Sequence, residues 1–148
     1  MNSVSRRSFL QSTVSAASVS LTGCSSFGQQ DGGFIDAHVH VWTPDTARYP
    51  LAAGFTKAGM KPASFTPEEL FARCKPEGVS RIVLIQMSYY ATDNRYMIDM
   101  MNAHPGVFGG VAIIDENTSN VRGRMVDLKK QGVRGFRVSP GRQKDIPA

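Results

Sequence analysis

Hydrophobic and polar positions alternate most cleanly in Phe34-Ile35-Asp36-Ala37-His38-Val39-His40-Val41-Trp42. Strand side chains point to opposite faces with period two. The pattern predicts a strand over residues 34–41, with Ile35, Ala37, Val39 and Val41 on one face and Asp36, His38 and His40 on the other. Residues 43–64 show no period and carry Pro44, Pro50, Pro62, Gly54 and Gly59. A loop this long is usually functional, and its place after the strand suits a lid. Trp42 and Tyr49 either wall a pocket there or pack the loop down. Thr66-Pro67-Glu68-Glu69 is a helix start, with Thr66 as N-cap, Pro67 in the first helical position and Glu69 closing a capping box. Leu70, Phe71 and Cys74 make the buried face, and Pro76-Glu77-Gly78 stops the helix.

Residues 80–88 read as a second strand. Ile82-Val83-Leu84-Ile85 is apolar on both faces, which suits a parallel strand covered on both sides. Asp93 is placed to cap a helix over 94–103 whose stripe of Tyr96, Met97, Met100 and Met101 reads as core. His104-Pro105-Gly106 ends it, so His104 is a helix C-terminal residue and no ligand. A third strand over 107–114 ends at Asp115. Thr118 or Ser119 caps a third helix with Val121, Met125 and Leu128 inward, closed by Lys129-Lys130-Gln131-Gly132. A fourth strand over 133–138 precedes Ser139-Pro140-Gly141. Strands alternating with helices predict an α/β fold with a parallel sheet. Ligands in such folds bind at the carboxyl ends of the strands. His40, Gln86, Asp115 and Arg137 all fall near strand ends.

Composition changes this picture little. The 148 residues suffice for one domain, and 41% hydrophobic with 20% charged residues marks a globular chain. The net charge of +5 is scattered, so no nucleic-acid partner is expected. The N-terminus stands apart. Ser5-Arg6-Arg7-Ser8-Phe9-Leu10 resembles a twin-arginine export signal, and no acidic residue occurs before Asp31. The apolar run that follows is too short and polar to span a bilayer. Leu21-Thr22-Gly23-Cys24 looks like a lipobox, in which Cys24 would be lipidated and tether the chain to a membrane surface; a plain cleavable signal is the alternative. The expected organisation is an export signal over 1–24, a flexible linker over 25–33 and a domain over 34–148, with the product periplasmic or membrane-anchored. With Cys24 set aside, only Cys74 remains, so no internal disulfide is expected.

Chemistry concentrates on the first strand. Imidazoles at i and i+2 can chelate one divalent ion, and neutral imidazole is a common ligand for zinc and its neighbours. The same pair could instead be structural.

Ile35-Asp36-Ala37-His38-Val39-His40-Val41-Trp42, Thr92-Asp93-Asn94-Arg95-Tyr96, Phe108-Gly109-Gly110-Val111-Ala112 and Gly132-Val133-Arg134-Gly135-Phe136-Arg137 occur in that order. Together they resemble the N-terminal half of the amidohydrolase-related family, which includes lactonases, decarboxylases and dicarboxylate hydrolases. The resemblance implies the first four βα units of a metal-dependent-hydrolase TIM barrel. It implies a divalent metal, commonly zinc, on His38 and His40. It also implies Arg137 as a partner for substrate carboxylates; Gln86, from its place at the end of the second strand, is the other expected substrate-binding residue. The expected reaction is hydrolysis of an ester, lactone or amide of a small organic acid.

A whole barrel takes about 250 residues, and the family's later His and Asp ligands have no counterpart here. Asp36 and Asp115 are the only carboxylates placed to serve as a base. The chain alone is expected to be inactive, with open sheet edges that invite self-association. A non-catalytic half-barrel lipoprotein or fragment, and a decarboxylase of the same family, are the rival expectations. A flavodoxin-like binding domain fits less well, because Trp42-Thr43-Pro44 replaces a glycine-rich phosphate loop.

Overall fold

A computed structural model describes residues 32–137. The expected export signal, Cys24, most of the linker, Val138 and the tail lie outside the described residues. Four strands, β1 (Phe34–Val39), β2 (Val79–Ile85), β3 (Phe108–Ile113) and β4 (Val133–Arg137), form one parallel sheet in the order β1-β2-β3-β4. Three helices connect them: α1 (Pro67–Cys74), α2 (Arg95–Ala103) and α3 (Val121–Lys130). Crossovers between adjacent parallel strands are right-handed, so consecutive ones lay all three helices on one face of the sheet. Among the described residues no helix is long and apolar enough to cross a membrane.

The register identifies the two faces. Ile82, Leu84, Ala112 and Val133 are buried, and with Gly110 they form the face under the helices. Gly110 leaves room for α2 against β3: a Cβ there would stand 2.5 Å from the Met101 sulfur and push that flexible side chain aside. Val83, Ile85, Val111 and Ile113 point the other way and are only half-buried. The expectation that β2 is covered on both faces therefore holds for one face among the described residues.

Local signals place α1 well. Thr66 Oγ1 accepts from the Glu69 amide at 3.5 Å, and the Thr66 amide donates to Glu69 Oε2 at 2.7 Å, with Pro67 at the first position. Leu70 and Cys74 are buried and the half-buried Phe71 stacks on Phe108 at 5.4 Å.

Other boundaries shift. The N-cap of α2 is Asn94 rather than Asp93, because the Asn94 side chain bridges to β3: Nδ2 donates to the Ile113 carbonyl at 2.9 Å and Oδ1 accepts from the Ile113 amide at 3.0 Å. Ile98 joins Tyr96, Met97 and Met101 in the buried stripe, while Met100 is half-buried. Asn120, not Thr118 or Ser119, caps α3, its Oδ1 accepting from the Gly123 amide at 3.1 Å. Val121, Met125 and Leu128 on α3 are half-buried rather than core. β2 stops at Ile85, and Ser88–Tyr90 forms a short 3-10 turn instead of extending the strand.

β1 ends at Val39, two residues early, and its alternation breaks. Asp36 pairs with Ile82 and Val39 with Leu84, with a register shift between them. Both therefore stand on the helix-covered face although they are three residues apart, a bulge-like insertion at Ala37-His38. Asp36 does not share a face with His40. Ile35 is 52% exposed on the open face beside Arg81, away from Val39 on the covered face.

Candidate active site

His38, in the bulge, and His40, just beyond it, stay together. Their ring centroids lie 5.1 Å apart with the planes nearly perpendicular. His40 Nδ1 lies 2.8 Å from the Ile85 carbonyl at the end of β2. A carbonyl can only accept, so Nδ1 carries the hydrogen and Nε2 is left with its lone pair available. Fixing one ring nitrogen by a backbone carbonyl is how metal-binding imidazoles are commonly oriented. Asp36 Oδ1 accepts from the His38 backbone amide at 3.1 Å, which pins the bulge rather than serving as a base beside the rings.

The loop after β2 is shaped by buried amides. Gln86 is 2% exposed, and its Nε2 donates to the Ala91 carbonyl at 3.3 Å and the Asp93 carbonyl at 2.7 Å. Both amide hydrogens are thus committed. The expectation of Gln86 as a substrate contact gives way to a residue that holds the loop. Ala91 sits at φ 45°, a region L-residues rarely adopt, and the Gln86 bond helps keep it there. Asn94, missed as anything but a helix residue, ties the same loop to β3. The Asp93 carboxyl is held below its ordinary range by its hydrogen bonds with the Arg95 guanidinium, 2.6 Å at the shortest.

Arg137 ends β4 and is exposed; its Nη1 lies 3.5 Å from Ser88 Oγ. It lines a cavity of about 280 Å³ with Ala91, Thr92, Ile114, Asp115 and Asn117. Asp115 Oδ1 accepts from the Asn117 amide at 3.0 Å, a turn-forming contact. The His pair and Arg137 occupy opposite edges of the sheet. Three strand spacings of about 4.8 Å separate them, roughly 14 Å along the sheet.

The 43–64 loop is packed down. Trp42 Nε1 donates to the Pro62 carbonyl at 3.0 Å, and the Tyr49 hydroxyl donates to Asp99 Oδ2 at 2.7 Å. The Thr43 amide donates to the Tyr90 hydroxyl at 3.0 Å, and the Ala52 amide donates to the Tyr89 carbonyl at 2.8 Å. Trp42 and Tyr49 are both buried, so they anchor the loop instead of walling a pocket. His104 packs against Phe71 and Phe108, away from the pair.

The donor set suits a borderline cation such as zinc in type, since it offers neutral imidazole with a fixed tautomer. It is short in number. Among the described residues no group of three or more His, Cys, Asp and Glu side chains converges.

The sequence pattern of the amidohydrolase family matches residues 35–148. A 2-pyrone-4,6-dicarboxylate hydrolase of Comamonas testosteroni is 30% identical over 107 residues, spanning 72% of this chain and 33% of that protein. A solved structure from Agrobacterium tumefaciens, in its apo form, superposes with a TM-score of 0.58 at 25% identity, covering 71% of this chain and 36% of the other. One from Pseudomonas putida, provisionally described as a 2-pyrone-4,6-dicarboxylic acid hydrolase, gives 0.55 at 24%, covering 72% and 36%. The chain spans about a third of the length of the relatives it matches.

Proposed function

We propose a function on the premise that the chain belongs to the amidohydrolase family: His38 and His40 supply two ligands to a divalent metal, zinc by donor type, in a site that hydrolyses an ester, lactone or amide of a small organic acid. The observation that carries this is the His pair at the carboxyl end of a parallel sheet, with His40 Nδ1 tied to the Ile85 carbonyl and Nε2 free. When bound, such a metal polarises a carbonyl and lowers the pKa of a water. The chain's own residues do the rest. The Ile85 carbonyl fixes the His40 tautomer, and the Asp36 carboxylate fixes the strand bulge that turns His38 toward His40. Gln86 and Asn94 hold the 91–94 loop at the mouth of the cavity that Arg137 lines. Arg137 is always charged and offers a planar fork of donors, so it binds a carboxylate of the substrate. The dicarboxylate named for the Comamonas relative has such groups. We also place the mature chain outside the cytoplasm, tethered through Cys24; a Cys24→Ser variant should release it from the membrane fraction.

The test is a hydrolysis assay of zinc-loaded protein with 2-pyrone-4,6-dicarboxylate and with neutral lactones, esters and amides. His40→Ala should weaken zinc binding by about 100-fold or more, because it removes one of the two imidazole ligands and the one whose tautomer is fixed. Arg137→Met should raise KM for dianionic substrates about tenfold and spare neutral ones. Release of carbon dioxide without hydrolysis would move the chain to the decarboxylases. Because the chain alone is expected to be inactive, the hydrolase reading ends on binding: zinc-loaded protein that binds neither 2-pyrone-4,6-dicarboxylate nor any lactone, ester or amide of the panel would end it.

A further inference from the structure

We infer that the backbone amide of Thr92 is a second anchor for a substrate carboxylate, aimed into the Arg137 cavity by a strained turn at Ala91 and by the Gln86 side chain behind it. The inference deepens the reading of Arg137 as a carboxylate binder and rests on it.

Ala91 has φ 45° and ψ −120°, a conformation open to glycine and rare for L-residues. A non-glycine residue stays in such a place only where its surroundings over-determine it, and such residues cluster at ligand clamps. Two contacts hold this one. The Ala91 amide donates to the Ser88 carbonyl at 3.1 Å, and the Ala91 carbonyl accepts from Gln86 Nε2 at 3.3 Å. Gln86 is 2% exposed and is not among the residues that line the Arg137 cavity, so it stands behind the loop. In a trans peptide group the C=O and N–H point in opposite directions. The Ala91 carbonyl turned back to Gln86 therefore turns the Thr92 N–H forward, to the side on which Ala91 and Thr92 line the cavity with Arg137.

The neighbouring amides are committed elsewhere. That of Ala91 goes to Ser88, and that of Asp93 donates to the Tyr90 carbonyl at 2.9 Å. Among the described residues the Thr92 amide has no backbone acceptor, and Thr92 is exposed, so its hydrogen is open to solvent or to a ligand. The charges of the cavity give that hydrogen a use. The lining sets one guanidinium, Arg137, against the side chains of Asp115 and Glu116. Arg137 is outnumbered there, and a fixed neutral donor beside it tips the balance toward an anion. A hydrogen bond to an ionised acceptor is roughly twice as strong as one between neutral groups. Oriented N–H groups in turns make anion-binding concavities on this principle. One carboxylate thus finds Arg137 on one side and the Thr92 N–H on the other.

The experiment titrates the full chain, zinc-loaded and nitrogen-labelled, with 2-pyrone-4,6-dicarboxylate and with uncharged 2-pyrone, followed by proton–nitrogen correlation spectra and by calorimetry. The Thr92 amide proton should move downfield with the dicarboxylate and stay in place with 2-pyrone; this readout needs no altered protein. Replacing the Ala91–Thr92 amide by an ester, which puts an oxygen where the N–H was, should raise the Kd of the dicarboxylate about tenfold and leave that of 2-pyrone unchanged. Thr92→Ala keeps the N–H and should leave both unchanged. Dicarboxylate binding that Arg137→Met weakens, but that neither shifts the Thr92 proton nor responds to the ester, would overturn the amide anchor and leave the Arg137 reading standing. Binding that neither Arg137→Met nor the ester weakens would overturn both, and so would absence of dicarboxylate binding.

Discussion

Gln86 shows how one buried amide can govern a whole loop. Its two hydrogens go to the Ala91 and Asp93 carbonyls, and Ala91 is held at a positive φ. Gln86→Leu should lower the stability read from urea unfolding by about 1–3 kcal/mol, because two carbonyls lose a buried donor. Gln86→Glu should cost more, since a carboxylate would face those carbonyls with no hydrogen to give. A wild-type-like midpoint for both variants would remove the assigned role. A second effect at this scale is the pH response of the buried phenols. Burial raises the pKa of Tyr96 and Tyr90 above ordinary tyrosine, and burial plus the hydrogen bond to Asp99 does so for Tyr49. In the unfolded chain these groups ionise near pH 10. Their contribution to stability is therefore whole below about pH 10 and is lost as pH rises through the higher folded-state values. Urea midpoints measured from pH 8.5 to 11.5 should fall from about pH 10 upward; a flat profile would contradict the burial of these rings. The His pair was legible in the sequence because period two needs no neighbour to be seen. The role of Gln86 was not, because its partners are backbone carbonyls five and seven residues on, fixed only once the loop has turned.

Among the elements, α1 and α3 mark the two ends of what local signals can say. The capping box of α1 lies wholly within Thr66–Glu69, and the structure repeats it bond for bond. The start of α2 moved by one residue because Asn94 answers to Ile113, nineteen positions away. β1 is the sharper case. Its alternation is perfect in the sequence, yet its register against β2 slips between Asp36 and Val39 and carries Asp36 to the other face. Nothing in β1 alone signals this, since the slip is a property of the pair. The helices also differ in anchorage. α2 buries Tyr96, Met97, Ile98 and Met101, whereas α3 buries no residue fully. Local opening follows the apolar surface an element holds. Amide exchange measured by mass spectrometry or NMR should show α3 losing protection before α2; equal protection would contradict this difference in anchorage.

At the level of the whole molecule, the described residues form a one-sided sheet. Its helix-covered face holds the core, and its other face holds the chemistry. The order of strands and helices, and the parallel sheet they make, followed from periodicity and from a few caps and stops. The distance between the His pair and Arg137 did not, because it depends on how far the sheet curls, which no local pattern sets. The account therefore stands on His38 and His40 gripping a metal at the carboxyl end of β1. X-ray absorption at the zinc edge tests this most directly. Zinc-loaded wild-type protein should show nitrogen ligands at about 2.0–2.1 Å with the outer-shell scattering of imidazole rings, and the His38→Ala/His40→Ala variant should lose that signature along with the zinc. The same imidazole pattern persisting in the double variant, or an oxygen-only shell in the wild type, would contradict it.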